Sequence, residues 1–224
     1  MLLHRLRAAL KAAADPAKAP QMTAYMKNIQ PYHGVTAPVQ RQVFREVFKD
    51  VTFADAAAWR TTVLHIWRNA KFREERYAVM ALCHGGRVAA FQTMEALPVY
   101  EELIVTGAWW DVVDHIASNF IGGLLKKHPK PMTHKMLLWS KSDDMWKRRT
   151  SILCQLKFNE NTDLDLLYAC IEPSIESKEF FLRKAIGWAL RQHAKSDPNE
   201  IRRYVRANET RLSGLSKREA LKNL

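Results

Sequence analysis

Glycine and proline are scarce in this chain, eight and nine among 224 residues, and most fall between stretches of helical periodicity instead of within them. Nowhere is there the alternation, β-branched enrichment and turn chemistry of a hairpin. The three cysteines, Cys83, Cys154 and Cys170, cannot all pair and have no CxxC spacing, which argues against a disulfide scaffold or a zinc ribbon and suits a reducing compartment. No apolar run approaches the roughly 18–20 residues of a membrane helix. Phosphate loops of the GxxxxGK[ST] kind, GxGxxG, HExxH, GxSxG and the zinc-deaminase signature are all missing. The eight histidines, among them His65, His84, His128 and His134, lack ligand spacing, so neither a metal nor a cofactor is expected. Acid is also short: 23 Asp and Glu face 35 Lys and Arg, a formal charge of +12. A folded chain so basic points to an anionic partner, nucleic acid first and an acidic membrane surface second.

What remains is helical from end to end. Apolar residues recur at three and four, which predicts helices over 3–14, 18–29, 38–50, 53–70, 72–84, 89–96, 98–106, 108–127, 132–141, 144–158, 163–172, 178–195, 199–209 and 216–223. The fold class is all-α. Residues 1–14 are basic, alanine-rich and free of acids, as a transit peptide would be; the alternative is an ordinary first helix with Leu3, Leu6 and Leu10 on its inner stripe. Pro31, Gly34 and Pro38 mark one loop, Pro129 and Pro131 another. Ser216 and Glu219 have the spacing of a capping box for the last helix. Tyr77, Trp110, Trp146 and Phe181 recur at intervals of 33, 36 and 35 residues, which fits a solenoid of helix pairs or an irregular bundle equally well. A basic solenoid would have a concave face able to wrap a rod of negative charge.

Helical wheels isolate residues on unexpected faces. In helix 108–127 the core stripe is Trp109, Val112, Val113, Ile116 and Phe120, complete without Trp110 and Asp114, which lie four apart on another side. That pair is either packed and solvated respectively, or functional. In helix 178–195 Leu182, Ile186, Ala189, Leu190 and His193 form the core stripe, and Trp188 falls among Lys184, Arg191 and Lys195. A flat ring among cations suits a nucleic-acid surface. Twelve Lys and Arg against five Asp and Glu make residues 178–224 the most basic part. In helix 144–158, Arg149 lies within the apolar arc of Trp146, Ile152, Leu153 and Leu156. It needs an anion there, a carboxylate of the protein or a phosphate from outside.

These residues lie in segments that resemble the AlkD-type DNA alkylation-repair glycosylases, a family built from HEAT-like helical repeats. The segments are Tyr25–Asn28 (YMKN), Leu97–Asp114 (LPVYEELIVTGAWWDVVD), Ser142–Arg149 (SDDMWKRR), Ser177–Arg191 (SKEFFLRKAIGWALR) and Leu215–Ala220 (LSKREA). The resemblance implies the solenoid, and a single HEAT-like DNA-binding and catalytic domain over residues 1–224. It also implies excision of cationic alkylated purines such as N7-methylguanine and N3-methyladenine from duplex DNA, with the lesion left in or near the stack. Asp114 matches the family's catalytic aspartate, Trp110 and Trp188 its active-site tryptophans, Arg149 its active-site arginine, and Tyr25 a tyrosine near its DNA surface. Lys27, Arg41, Lys184, Arg191, Lys217 and Arg218 are the further DNA-binding candidates. The loop Gly34–Pro38 departs from the family at Ala37, where a polar residue is usual.

The chemistry is consistent from below. A purine alkylated at N7 or N3 leaves as a neutral base and needs little general acid. The barrier lies in the oxocarbenium-like deoxyribose, which a carboxylate stabilises while orienting or deprotonating water. No central lysine is required, so no strand-cleaving lyase step is expected. The alternatives are a non-catalytic helical-repeat protein for bent or branched DNA and, less well matched, a protein–protein scaffold. The expected partner is double-stranded DNA carrying alkylated bases, bound by a monomer with no membrane association, in the bacterial cytosol or nucleoid.

Overall fold

A computed structural model describes residues 1–224, and every regular element in it is helical: α1 (Leu2–Ala12), α2 (Ala19–Tyr25), α3 (Ala37–Val47), α4 (Ala56–Arg68), α5 (Arg73–Leu82), α6 (Leu97–Gly107), α7 (Trp110–Ile116), α8 (Gly122–Lys127), α9 (Pro129–Trp139), α10 (Met145–Leu153), α11 (Leu164–Ile171), α12 (Phe180–His193), α13 (Pro198–Ala207) and α14 (Gly214–Ala220). Short 3-10 turns intervene, and a π-helical turn joins α7 to α8 over Ala117–Ile121. The chain divides into two compact units, Met1–Phe91 and Gln92–Leu224. No helix is long and apolar enough to cross a membrane.

In the first unit α1 buries Leu3, Leu6 and Leu10, the stripe expected of an ordinary first helix, and packs on α3 and α5. The predicted loop around Pro31 and Gly34 is clasped by a buried carboxylate. Glu74 on α5 accepts from the backbone N–H groups of His33, Gly34 and Val35 at 3.1, 3.1 and 3.2 Å. Three backbone donors meet the carboxylate's need for partners away from water. Tyr77, the first aromatic of the interval, hydrogen-bonds the hydroxyl of Tyr32 at 2.5 Å.

The second unit centres on α10 and α12. The core joins Ile152, Leu153 and Leu156 to Leu182, Ile186, Ala189 and Leu190, with Ile201, Tyr204 and Ala220 closing it from α13 and α14. The stripes drawn on the wheels are buried as expected, His193 included, except that Trp109 is only partly buried. The α12 and α14 backbones meet at Gly187, where a Cβ would lie 2.4 Å from the Cβ of Glu219 and 2.8 Å from the Ser216 carbonyl oxygen. Gly122 plays the same part where α8 starts, against the Cys154 carbonyl of α10 at 2.5 Å. All three cysteines are buried free thiols.

Several boundaries differ from expectation. The second helix stops at Tyr25, because Lys27 and Asn28 adopt left-handed backbone with φ of 59° and 58°. Segment 89–96 is 3-10, not α. Pro129 and Pro131 sit in the first turn of α9 instead of a loop, where a missing N–H costs nothing. Serine 213, not Ser216, caps α14, accepting from the Ser216 N–H at 3.0 Å. Buried Ser216 donates its hydroxyl to the Arg183 carbonyl of α12, and Glu219 turns to the cations of α12.

Candidate active site

The α6–α7 connection places the site. Ala108 ends α6 in left-handed backbone, φ 38° and ψ 40°, a conformation that costs a residue with a Cβ on the order of 1 kcal/mol or more. The chain then turns through extended Trp109 into α7. Trp109 faces Trp146 of α10 with ring centroids 6.2 Å apart and Phe181 of α12 at 5.3 Å; Trp146 and Phe181 are 5.0 Å apart. Three helices thus share one aromatic cluster, and the Trp109 indole N–H is buried within it without an acceptor.

Beside this cluster lies Asp114. Arg149 reaches it bidentately, Nε to Oδ1 at 2.7 Å and Nη2 to Oδ2 at 2.8 Å. Nη1 of Arg149 donates to the Phe181 carbonyl, and the guanidinium carbon lies 5.8 Å from the Phe181 ring centroid. The arginine that needed an anion has a carboxylate of the protein, and one guanidinium ties α7, α10 and α12 together. Its side chain is 5% exposed and that of Asp114 13%. Burial pushes the Asp114 carboxyl above its ordinary value, against the hydrogen bonds and charge of Arg149; nearby Asp111 adds to the rise. The carboxylate has about four accepting positions and Arg149 takes two, so the partly open side of Asp114 can still receive a hydrogen bond or face a cation.

Local sequence sets these positions. Asp144 caps α10 by accepting from the Lys147 N–H at 2.9 Å, and Arg149 follows on its inner face. Three residues after Asp114 the π turn begins, in which Ser118 donates to the Asp114 carbonyl and Asn119 to the His115 carbonyl, both at 2.8 Å. Such turns are frequent at functional sites.

The structure brings Asp114 and Arg149 into direct contact and puts Trp110 one turn before Asp114 on the same helix. Trp188 lies two turns beyond Phe181 on α12, half-buried against the core, so its ring is anchored as well as polar-flanked. Lys184 and Arg191, flanking it, share Glu219 at 2.9 and 2.6 Å, which neutralises part of the positive face read from the wheel. Lys195 donates to Gln192, and Lys217, on α14 beside exposed Arg218, donates to the Glu209 carbonyl in the turn after α13. Tyr25, 72% exposed, Lys27 and Arg41 belong to the first unit. Trp146 and Phe181 stand in the aromatic interval but not among the expected site residues, and Trp109 is expected only in the core stripe of its helix. The near-regular aromatic spacing marks Trp146 and Phe181, while Trp109 lies one residue off it and only packing adds it to the cluster. No group of His, Cys, Asp and Glu is arranged to hold a metal ion.

A family described as "DNA alkylation repair enzyme" matches residues 6–224. Among solved structures, a "predicted DNA alkylation repair enzyme from Enterococcus faecalis" is 27% identical, covers 94% of this chain and 96% of its own, and superposes with a TM-score of 0.85. No curated protein matches the sequence. With a family match across nearly the whole length and a shared all-α, HEAT-like fold, the chain belongs to the AlkD-type DNA alkylation-repair enzyme family.

Proposed function

We propose that this DNA alkylation-repair enzyme is a monofunctional glycosylase that hydrolyses the N-glycosidic bond of cationic alkylated purines in duplex DNA. The observation that carries the reading is the clamped carboxylate: Asp114 held by both arms of Arg149, nearly closed from bulk water, beside an aromatic wall. A charge fixed in such surroundings acts on a developing cation far more strongly than it would in water. As the glycosidic bond lengthens, the deoxyribose gains positive charge and the base leaves neutral. Asp114 stabilises that sugar and orients or deprotonates the attacking water, and Arg149 holds the carboxylate in place. Trp110 and Trp188 offer π faces to the cationic nucleotide, each worth roughly 0.5–2 kcal/mol.

Tyr25, Lys27, Arg41, Lys217 and Arg218 would contact the DNA backbone, while Lys184 and Arg191 act with Glu219. In this reading the two units function together as one DNA-binding and catalytic domain, because the family match runs through both. The protein acts as a monomer and requires no cofactor.

The test is single-turnover release of N7-methylguanine from methylated duplex by wild type and Asp114→Asn, with duplex binding and thermal melts measured on both. The variant should bind DNA, remain folded at the assay temperature and release base at least about a hundredfold more slowly. Equal rates would remove Asp114 from the mechanism. Tight binding of branched DNA by wild type, with no base released from any alkylated substrate, would replace the enzyme with a non-catalytic binding protein.

A further inference from the structure

Resting on the reading of DNA as substrate, we infer that a basic cleft in the first unit, floored by Phe44 and Phe48 and walled by Arg41, Arg45, Lys49 and Arg87, holds a stretch of DNA sugar–phosphate backbone.

The cleft encloses about 560 Å³ between α3 and the turn after α5. Arg41, Arg45 and Lys49 stand at intervals of four along and just beyond α3, one stripe with a rise of about 6 Å per step. None of the three side chains has a carboxylate or hydrogen-bond partner, and all three residues are exposed. That contrasts with Lys184 and Arg191 of the second unit, which Glu219 neutralises. No acidic residue lines the cleft.

The neighbouring stripe of α3 supplies the floor. Phe44 and Phe48 are buried and stacked at 6.0 Å, a low-dielectric base that strengthens the field of the cations above it. Arg87 fixes the far wall by donating to the carbonyls of Phe48 and Val51, closing the end of α3 with its charge. Next to it Gly85, with φ of 98°, and Gly86 keep the wall bare; a Cβ at either would project into open space.

The shape of the charge selects the occupant. Three free cations in a row span about 12 Å, more than a compact anion can bridge and suited to a linear polyanion. Both aromatic rings are buried under the cations, so no face is offered for base stacking. Contacts of this kind position a duplex without reading its sequence.

The experiment is fluorescence anisotropy of an undamaged duplex across a salt series, with the full chain, for wild type, Arg45→Ser, Lys49→Ser and the double variant. Lys11→Ser, an exposed lysine outside the cleft, is the control, and thermal melts with and without inorganic phosphate accompany each protein. The slope of log K against log salt should become shallower by about 0.9 for each cation removed. Arg45→Lys should restore it and Lys11→Ser should leave it as in wild type. Unchanged slopes in the double variant, or an equal loss in Lys11→Ser, would overturn the assignment. So would a phosphate-induced rise in melting temperature that the double variant loses while its DNA slope is intact, which would make the cleft a small-anion site. Because undamaged DNA is used, the outcome is separate from base release. Altered slopes with no glycosylase activity leave the cleft standing and the proposed chemistry fallen, and the reverse result does the opposite.

Discussion

Arg149 donates three hydrogen bonds to two helices other than its own, and the pair it forms with Asp114 positions more than it stabilises. Desolvation of two buried charges offsets most of their attraction, which is why the Asp114 carboxyl is raised even with a bidentate arginine beside it. Removing one partner is different, because the other is left buried and alone. Arg149→Ala should therefore lower unfolding free energy by about 3–5 kcal/mol, read from urea melts at neutral pH. The sign of the Asp114 shift makes a second expectation. A raised carboxylate picks up its proton at higher pH on acidification, so base release should decline above the ordinary carboxylate value of 3.8. A pH–rate profile with its acid limb at or below that value would contradict the reading. The wheel had already marked Arg149 as a cation in need of an anion; a wheel describes one helix, however, and the anion stands on another.

At the scale of elements, the close approach of α12 and α14 decides how the cations near Trp188 are arranged. Gly187→Ala should destabilise by roughly 1–3 kcal/mol although alanine favours a helix by up to about 1 kcal/mol. The new methyl meets the Ser216 backbone at 2.8 Å, and backbone cannot swing aside. A shift of the urea midpoint to lower concentration checks this. The α11–α13 contact makes a pH prediction. Glu200 accepts from Arg203 of its own helix at 2.7 Å and then from the Tyr168 hydroxyl at 2.6 Å, and these, Arg203 foremost, hold its carboxyl down to about 2 from an ordinary 4.5. A depressed acid stabilises the fold above its unfolded value. That contribution, about 1 kcal/mol for a partly exposed group, should disappear as pH falls from 4.5 toward 2. Glu200→Gln should flatten this part of the stability–pH curve; an unchanged curve would show that the bond contributes nothing.

Over the whole molecule, the charge of +12 makes association with DNA a salt-dependent process. Neutralising about 6–10 phosphates would lose on the order of 10³–10⁵ in affinity between 50 and 200 mM salt. A protein–protein scaffold would show no such dependence, so a titration of duplex binding at two salt concentrations separates the two. The all-α class, the core stripes of α7 and α12 and the anion requirement of Arg149 were legible in the residues alone. Each follows from local periodicity or from the cost of burying a charge, and neither requires knowing a neighbour. Tertiary structure alone decided that Asp114 is the partner of Arg149, that Glu219 serves Lys184 and Arg191 instead of capping its own helix, and that Trp109, Trp146 and Phe181 converge in one cluster. Those pairings join residues 28 to 35 positions apart, and only packing of one helix on the next brings such distant side chains within hydrogen-bonding reach.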